Sequence, residues 1–294
     1  LSNNYPPDYL IGPDYLISPD YLIIGHVSKD NTPHGAILGG TCSYSALTAH
    51  KLGQRTAVVT SYGPDIPSLA ALEGIEIEVL PHSHSTTFEN IYQDRGRYQK
   101  WLASSASLSL ENVPSAWRDV PIAHLAPLAQ EISPAMCGDF SNSLVGVTVQ
   151  GWLRGQGAQY NVIYQPHSEL EAWLTKIDVL VLSLADVFGD RTALTHLLTS
   201  AKLGVETLGP AGCKVYHYDQ VTHIPVKPEI EVDPTGAGDI FAAAFFIRYR
   251  KTGDFIKAAQ FANACASLSV RKRGMESIPH LSEVEARLEM LYGS

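Results

Sequence analysis

Seven residues, Asp233-Pro234-Thr235-Gly236-Ala237-Gly238-Asp239, hold the densest chemistry in this chain. They lie where a strand-like stretch, 229–232, hands over to a strongly apolar helix over 240–249. A glycine-rich turn at a helix start leaves backbone N–H groups unpaired. With the positive end of the helix dipole, these donors form an anion site. A carboxylate there would repel a phosphate unless the chemistry requires it. The pairing points to phosphoryl transfer, with the amides of Gly236, Ala237 and Gly238 stabilising charge on the moving group. Asp239 then accepts the proton of the attacking hydroxyl. Each residue alone also has a structural reading, because Asp and Thr cap helices and Gly makes turns. Two glycines, a Thr and two Asp within seven residues are far more specific. Other glycine motifs fail: no G-x-x-x-x-G-K-[ST] occurs, and the third glycine of G-x-G-x-x-G would fall on Phe241. That removes the P-loop and argues against a dinucleotide-dependent oxidoreductase.

These residues need a scaffold, and the pattern along the chain supplies one. Strands are predicted over 55–61, 75–80, 122–125, 145–149, 179–183, 205–208 and 214–218. Helices are predicted over 67–73, 170–175, 191–202, 254–271 and 282–291. Strands alternating with helices imply a mainly parallel sheet covered on both faces. The polar segments 86–93 and 97–103, separated by Asp94-Arg95-Gly96, alternate in polarity and read as a hairpin outside that core, a lid. The chain opens on three near-copies at a period of six: Pro7-Asp8-Tyr9-Leu10-Ile11, Pro13-Asp14-Tyr15-Leu16-Ile17 and Pro19-Asp20-Tyr21-Leu22-Ile23. Only the third continues into an apolar run, Ile24-Gly25-His26-Val27, suited to a buried first strand. Residues 1–18 are therefore expected to lie outside the core, and 19–294 to form one domain with lid strands near 84–103.

Composition narrows the partners. A chain of 294 residues, 45% hydrophobic and 17% charged, can build one large core. A net charge of −9 argues against nucleic acid or an anionic membrane as the main partner. No run approaches the roughly 18 apolar residues of a membrane span, and no secretory signal opens the chain. Cys42, Cys137, Cys213 and Cys265 are scattered without C-x-x-C spacing, the pattern of reduced thiols in a cytoplasmic protein. The basic triplet Arg271-Lys272-Arg273 reads as a solvated helix end. His82 and His84 have no third ligand at metal-binding spacing.

Taken in order, the motifs resemble those of the ribokinase-like (PfkB) carbohydrate kinases. The run ending in Asp239 is similar to that family's Asp-x-Thr-Gly-Ala-Gly-Asp signature. Gly39-Gly40 and the apolar-periodic stretch through Leu52-Gly53 resemble its double-glycine signature, and Thr207-Leu208-Gly209-Pro210-Ala211-Gly212 its nucleotide-side Thr-x-Gly-x-x-Gly turn. Ala262-Asn263-Ala264, Gly274 and Pro279 match the helix and loop flanking the adenine. The resemblance implies an α/β ribokinase-like fold with a small β-lid, often shared across a homodimer. It also implies ATP as donor, a magnesium ion and a small polyol acceptor: a sugar, an inositol-like cyclitol or a nucleoside. Thr207, Gly209, Gly212, Thr235, Gly236, Gly238 and Asn263 would then meet the nucleotide.

Acceptor residues follow from position as well. Asp30 comes after the first strand, where α/β ligands gather, and a carboxylate can accept from two neighbouring hydroxyls. An Asp at this place does so in the family; equally, Asp30 beside Asn31 and Thr32 suits a capped turn. Gly39 and Gly40 admit close backbone approach to a ligand. Asn90 on the lid, with Gln150 and Arg154 after a strand end, are further candidates for the pocket, although loop packing would use the same residues. The sequence also departs from the family. Ser43, Tyr44 and Ser45 stand where an Asn is common, and Ser183-Leu184-Ala185-Asp186 replaces the Asn-x-x-Glu that orders magnesium-bound water. Ser183 is placed at the nucleotide and Asp186 as an indirect metal contact. These departures keep a second reading open, a non-catalytic sugar- or nucleotide-binding regulatory descendant of such a kinase.

Overall fold

The computed structural model describes residues 18–93 and 96–293. The first two repeat copies, and Asp94-Arg95 of the expected lid turn, lie outside the described residues. From the third copy the chain forms β1 (Tyr21–Ile24), β2 (Ser28–Thr32), β3 (Gly35–Gly39), helix α1 (Thr41–Lys51), β4 (Thr56–Tyr62) and β5 (Glu76–Pro81). The hairpin β6 (Thr86–Gln93) and β7 (Gly96–Ala103) follows, then β8 (Ile122–Leu125), β9 (Leu144–Thr148) and a short hairpin, β10 (Arg154–Gln156) with β11 (Val162–Tyr164). Helix α2 (Leu170–Trp173), β12 (Val179–Ser183), α3 (Arg191–Ser200), β13 (Gly204–Thr207), β14 (Cys213–His217) and β15 (Gln220–Ile224) come next. Three helices complete the chain: α4 (Ala237–Thr252), α5 (Phe255–Ser269) and α6 (Leu281–Tyr292).

Nine strands make one sheet in the order β15-β14-β13-β12-β9-β8-β1-β4-β5. From β13 to β5 every pair is parallel, and the two antiparallel pairs, β13 with β14 and β14 with β15, lie at one edge. The period of two along each strand divides the core into two layers. Tyr21 and Ile23 face one side with α1, α4 and α5, where Phe241, Phe245, Phe246 and Phe261 are buried. Leu22 and Ile24 face the other, with Trp117, Trp152, Leu194 and Leu198. Both faces are covered, so these strands read as unbroken apolar runs.

The lid is a second sheet, ordered β3-β2-β6-β7. Besides the expected hairpin it takes in β2 and β3, segments that polarity alone reads as loop. Apart from Ser28 and Gly39 their residues are half-buried or exposed: β2 is polar, and the apolar Ala36-Ile37-Leu38 of β3 is too short and too exposed to mark a core strand. The β10–β11 hairpin braces the lid from below: Lys100 on β7 bridges Asn161, and the Gln156 side-chain amide donates to the Trp101 carbonyl at 2.6 Å.

Two expected elements differ. The stretch 229–232 is irregular, with Ile230 and Val232 exposed, because Pro228 and Pro234 bracket it and the amides of Val232 and Asp233 donate to Val270 rather than to a strand. Segment 67–73 forms only a 3₁₀ turn at Ala70–Leu72. In the described residues no helix is long and apolar enough to cross a membrane, and the four cysteines are buried and unpaired.

Gly25 lets the chain leave β1 for the lid. Its φ is +153°, and a Cβ there would collide with the Ala126 carbonyl. Gly25→Ala is expected to lower unfolding stability by more than ~2 kcal/mol in a denaturant titration.

Candidate active site

Helices α1 and α4 both begin at the carboxyl-terminal edge of the sheet, and both start on a glycine with positive φ: Gly40 at +89° and Gly236 at +78°. Gly236 is obligatory twice over. Its backbone is left-handed, and a Cβ would run into the ring of Tyr44 on α1, so the bare glycine lets the two helix starts close. The contact continues to Asp239, whose carboxylate accepts the Thr41 hydroxyl and whose carbonyl accepts the Ser45 hydroxyl at 3.1 Å. The amides of Gly236, Gly238 and Asp239 have no protein acceptor among the described residues. The Ala237 amide, expected to share in the anion hole, instead donates to the Pro234 carbonyl at 3.1 Å, because residues 234–237 close a turn. A Cβ on Gly238 would meet no protein atom, which leaves that face of the helix start open to a ligand. Asp233 fixes the run from behind, accepting from the Thr235 amide at 3.0 Å and the Gly274 amide at 3.1 Å.

Asp239 keeps part of its surface open to the cleft but is ringed by protein. Burial pushes its carboxyl up to about 7; the Thr41 hydrogen bond opposes this, Asp186 pushes further up, Arg154 pulls down and Asp30 pushes up. A carboxylate with a pKa near neutrality is matched to general-base work.

The cleft has a volume of about 210 Å³. On its lid side stands Asp30, on β2 rather than in a loop after β1. The Ser28 hydroxyl donates to its Oδ1 at 2.8 Å. Gly39, which pairs with Ser28 from β3, does not line the cleft; a Cβ there would strike the Asp30 carboxylate, so this glycine makes room for that side chain. Gly40 does line the cleft, as do Gln150 and Arg154. The Arg154 guanidinium lies 5.7 Å from the centre of the Phe88 ring. Asn90 sits one layer back: its Oδ1 accepts from Gln99 at 2.6 Å, and Gln99 is the lid amide that reaches the cleft.

The opposite wall is made of strand ends. Thr148, Ser183 and Thr207 terminate the neighbouring strands β9, β12 and β13. Asp186 accepts from the Ser183 amide and hydroxyl at 2.7 and 2.8 Å and from Gln150 Nε2 at 2.9 Å. Gln150 is therefore tied to Asp186 as well as facing the cleft. Beyond Thr207 and Gly238, which line both spaces, lies a second cavity of about 140 Å³. Gly209, Gly212, Phe241, Asn263 and Val270 line it, along with the 226–231 segment. Asn263 donates to the Ile224 carbonyl at 3.0 Å. Among the described residues no group of three or more His, Cys, Asp or Glu gathers as a metal cage.

The structure thus brings Asp30, Gly40, Gln150, Arg154, Ser183, Asp186, Thr207, Thr235, Gly236, Gly238 and Asp239 to one cleft, and Gly209, Gly212 and Asn263 to the adjoining cavity. Sequence reasoning missed Ser28, Thr41, Tyr44 as a packing partner, Gln99 and Thr148. Thr41 carried a readable signal, since it follows the double glycine at a helix start. The others carried none.

Residues 141–281 match the pfkB family carbohydrate kinase model. The chain is 28% identical to a nucleoside kinase of Methanothermobacter thermautotrophicus over 278 residues, covering 87% of this chain and 85% of that protein. It is 26% identical to a cytidine kinase of Thermococcus kodakarensis, covering 78% and 88%. In three dimensions it is similar to a pyrophosphate-dependent kinase in the ribokinase family complexed with a pyrophosphate analog and myo-inositol, with TM-score 0.76, 22% identity and coverage of 90% and 99%. Arabidopsis thaliana ribokinase complexed with ribose and ATP matches with TM-score 0.70, 18% identity and coverage of 93% and 99%. The fold is ribokinase-like, and the chain is a kinase similar, over residues 141–281, to the pfkB family carbohydrate kinases.

The raised carboxyl of Asp239 has a consequence for stability. An unfolded Asp ionises near its ordinary 3.8, whereas the folded one holds its proton to about 7. The stabilisation from the folded protonated form is complete below pH 4 and lost as pH rises through 7. Asp239→Asn cannot ionise, so the difference in melting temperature, variant minus wild type, is expected to increase from pH 4 to pH 8. A difference that does not change with pH would contradict the assignment.

Proposed function

We propose that this kinase transfers the γ-phosphoryl group of ATP to a hydroxyl of a neutral sugar, cyclitol or nucleoside. The observation that carries the reading is the pair of cavities meeting at Gly238 and Thr207, with the open amides and Asp239 at their junction. The acceptor lies in the lid-covered cleft, where Asp30 takes hydrogen bonds from its hydroxyls. Asp239 removes the proton from the attacking oxygen, which is then free to bond phosphorus as the bond to the leaving diphosphate breaks. The amides of Gly236, Gly238 and Asp239 meet the negative charge spread over the phosphoryl oxygens.

Charge selects the acceptor class. Among the described residues, Asp30, Asp186 and Asp239 line the cleft against one guanidinium, Arg154. An acceptor already carrying phosphate or carboxylate would meet net repulsion, so a neutral polyol is favoured. The second cavity selects the donor. Pyrophosphate has no part to fill it, whereas the base and ribose of a nucleotide would occupy its apolar walls. With no protein cage for a metal among the described residues, a magnesium ion would arrive on the phosphates, and Asp186 would hold its water shell. When bound, it neutralises phosphate charge during transfer.

Asp239→Asn preserves shape and capping. It is expected to stay folded and bind ATP while kcat falls by about 10²–10⁴. Turnover is measured by ADP release over myo-inositol, ribose, fructose and cytidine; wild-type kcat in the variant would refute the mechanism. Ala266→Trp, filling the second cavity, should raise KM for ATP at least ~10-fold without a matching loss of acceptor affinity. Faster turnover on pyrophosphate than on ATP would overturn the choice of donor.

A further inference from the structure

Behind the cleft wall, three side chains from adjacent strands form a single hydrogen-bonded chain. Tyr21 on β1 pairs with Ile122, and His124 stands two residues further along β8. His124 pairs with Gly146, and Thr148 stands two residues further along β9. Each step moves one strand over and two residues toward the carboxyl ends, so all three share one face of the sheet. Tyr21 Oη is 2.8 Å from His124 Nδ1, and His124 Nε2 is 3.0 Å from Thr148 Oγ1. Tyr21 and His124 are fully buried, the ring of Phe246 packs edge-on against the imidazole, and only Thr148 reaches the cleft.

Proton positions follow from the donors and acceptors present. Burial holds the imidazole neutral, its pKa down to about 3, so one ring nitrogen carries hydrogen and the other accepts. The Tyr21 hydroxyl has no other acceptor among the described residues. If Nδ1 carried the hydrogen, the phenolic proton would be left unpaired in an apolar interior. Tyr21 therefore donates to Nδ1, and Nε2–H donates to Thr148 Oγ1. The Thr148 proton has no protein acceptor among the described residues and is left to face the cleft. Ser183, at the neighbouring strand end, differs: its proton goes to Asp186.

We infer that Thr148 is a pre-set hydrogen-bond donor to an oxygen of the molecule bound in the cleft, and that Tyr21 and His124 are positioning residues that fix its direction. The inference rests on the proposed kinase reading for the identity of that oxygen, an acceptor hydroxyl or the phosphoryl group itself. It adds a neutral donor to a cleft that also holds Arg154 and the carboxylates of Asp30, Asp186 and Asp239.

The test has two arms. ¹⁵N-histidine NMR of the wild-type protein at pH 7 should show His124 as the neutral Nε2–H tautomer. The Nδ1–H tautomer would overturn the inference, whether or not an acceptor has been found. In the kinetic arm, with ATP and whichever of myo-inositol, ribose, fructose or cytidine the wild type phosphorylates, Thr148→Val should lower kcat/KM about tenfold. Thr148→Ser should restore it to within about threefold. A rise in acceptor KM marks an acceptor oxygen, and a fall in kcat marks the phosphoryl group. Tyr21→Phe should cost about three- to tenfold in the wild-type background but less than about twofold in the Thr148→Val background, since it acts only through that hydroxyl. Equal losses in both backgrounds, or no loss in Thr148→Val, would refute the chain. Melting temperatures recorded in parallel separate lost stability from lost positioning. Absence of turnover on every acceptor would count against the kinase reading, and the NMR arm would still decide the direction of the chain.

Discussion

A carboxylate held where two helices begin is the constraint on which the site depends. Burying Asp239 raises the cost of its charge, and the Thr41 hydroxyl at the start of α1 offsets part of that cost. The positive ends of the α1 and α4 dipoles act in the same direction. This geometry requires α1 and α4 to approach closely, and they can do so because Gly236 has no side chain where the Tyr44 ring lies. A larger residue would part the helices, open the anion site and leave Asp239 in water with an ordinary acidity. The tuning of the Asp239 carboxyl and helix packing are here one interaction.

The sheet extends that constraint to both substrates. Because its strands run parallel from β13 to β5, their carboxyl ends line one edge, and the hydroxyls of Thr148, Ser183 and Thr207 fall in a row opposite the start of α4. One end of the row meets the polar cleft and the other the more apolar cavity. The protein carries a net charge of −9, so under the proposed reading an anionic donor is received by local amides and hydroxyls against the overall field. Glu131 performs a related structural task below the lid: buried, it accepts from the amides of His26, Leu128 and Ala129 and so ties the exit of β1 to the loop after β8.

Much of this was legible in the linear chain. Buried parallel strands declare themselves as apolar runs, and the repeated switch from strand to helix leaves few arrangements open. The run ending in Asp239 was readable because an anion site needs several rare features next to one another: left-handed glycine, a cap and a helix start. The triplicated opening was partly readable too. The three copies are alike, but only the third is followed by Gly25 and His26, which the exit from β1 requires.

What the sequence by itself determined was every feature written in neighbouring residues: the class of fold, the glycine turn and the Asp that goes with it. Tertiary structure alone decided the features made across strands. The polar residues 28–32 become a lid strand because β6 offers an edge to pair with, and 35–39 pair with them in turn. Gly39 matters through a side chain nine residues away, and Ala237 loses its amide to a turn that no spacing rule records. Tyr21, His124 and Thr148 lie more than a hundred residues apart from first to last, and no periodicity links them. A sheet brings distant residues together by register, and register is set by the pairing of whole strands in three dimensions.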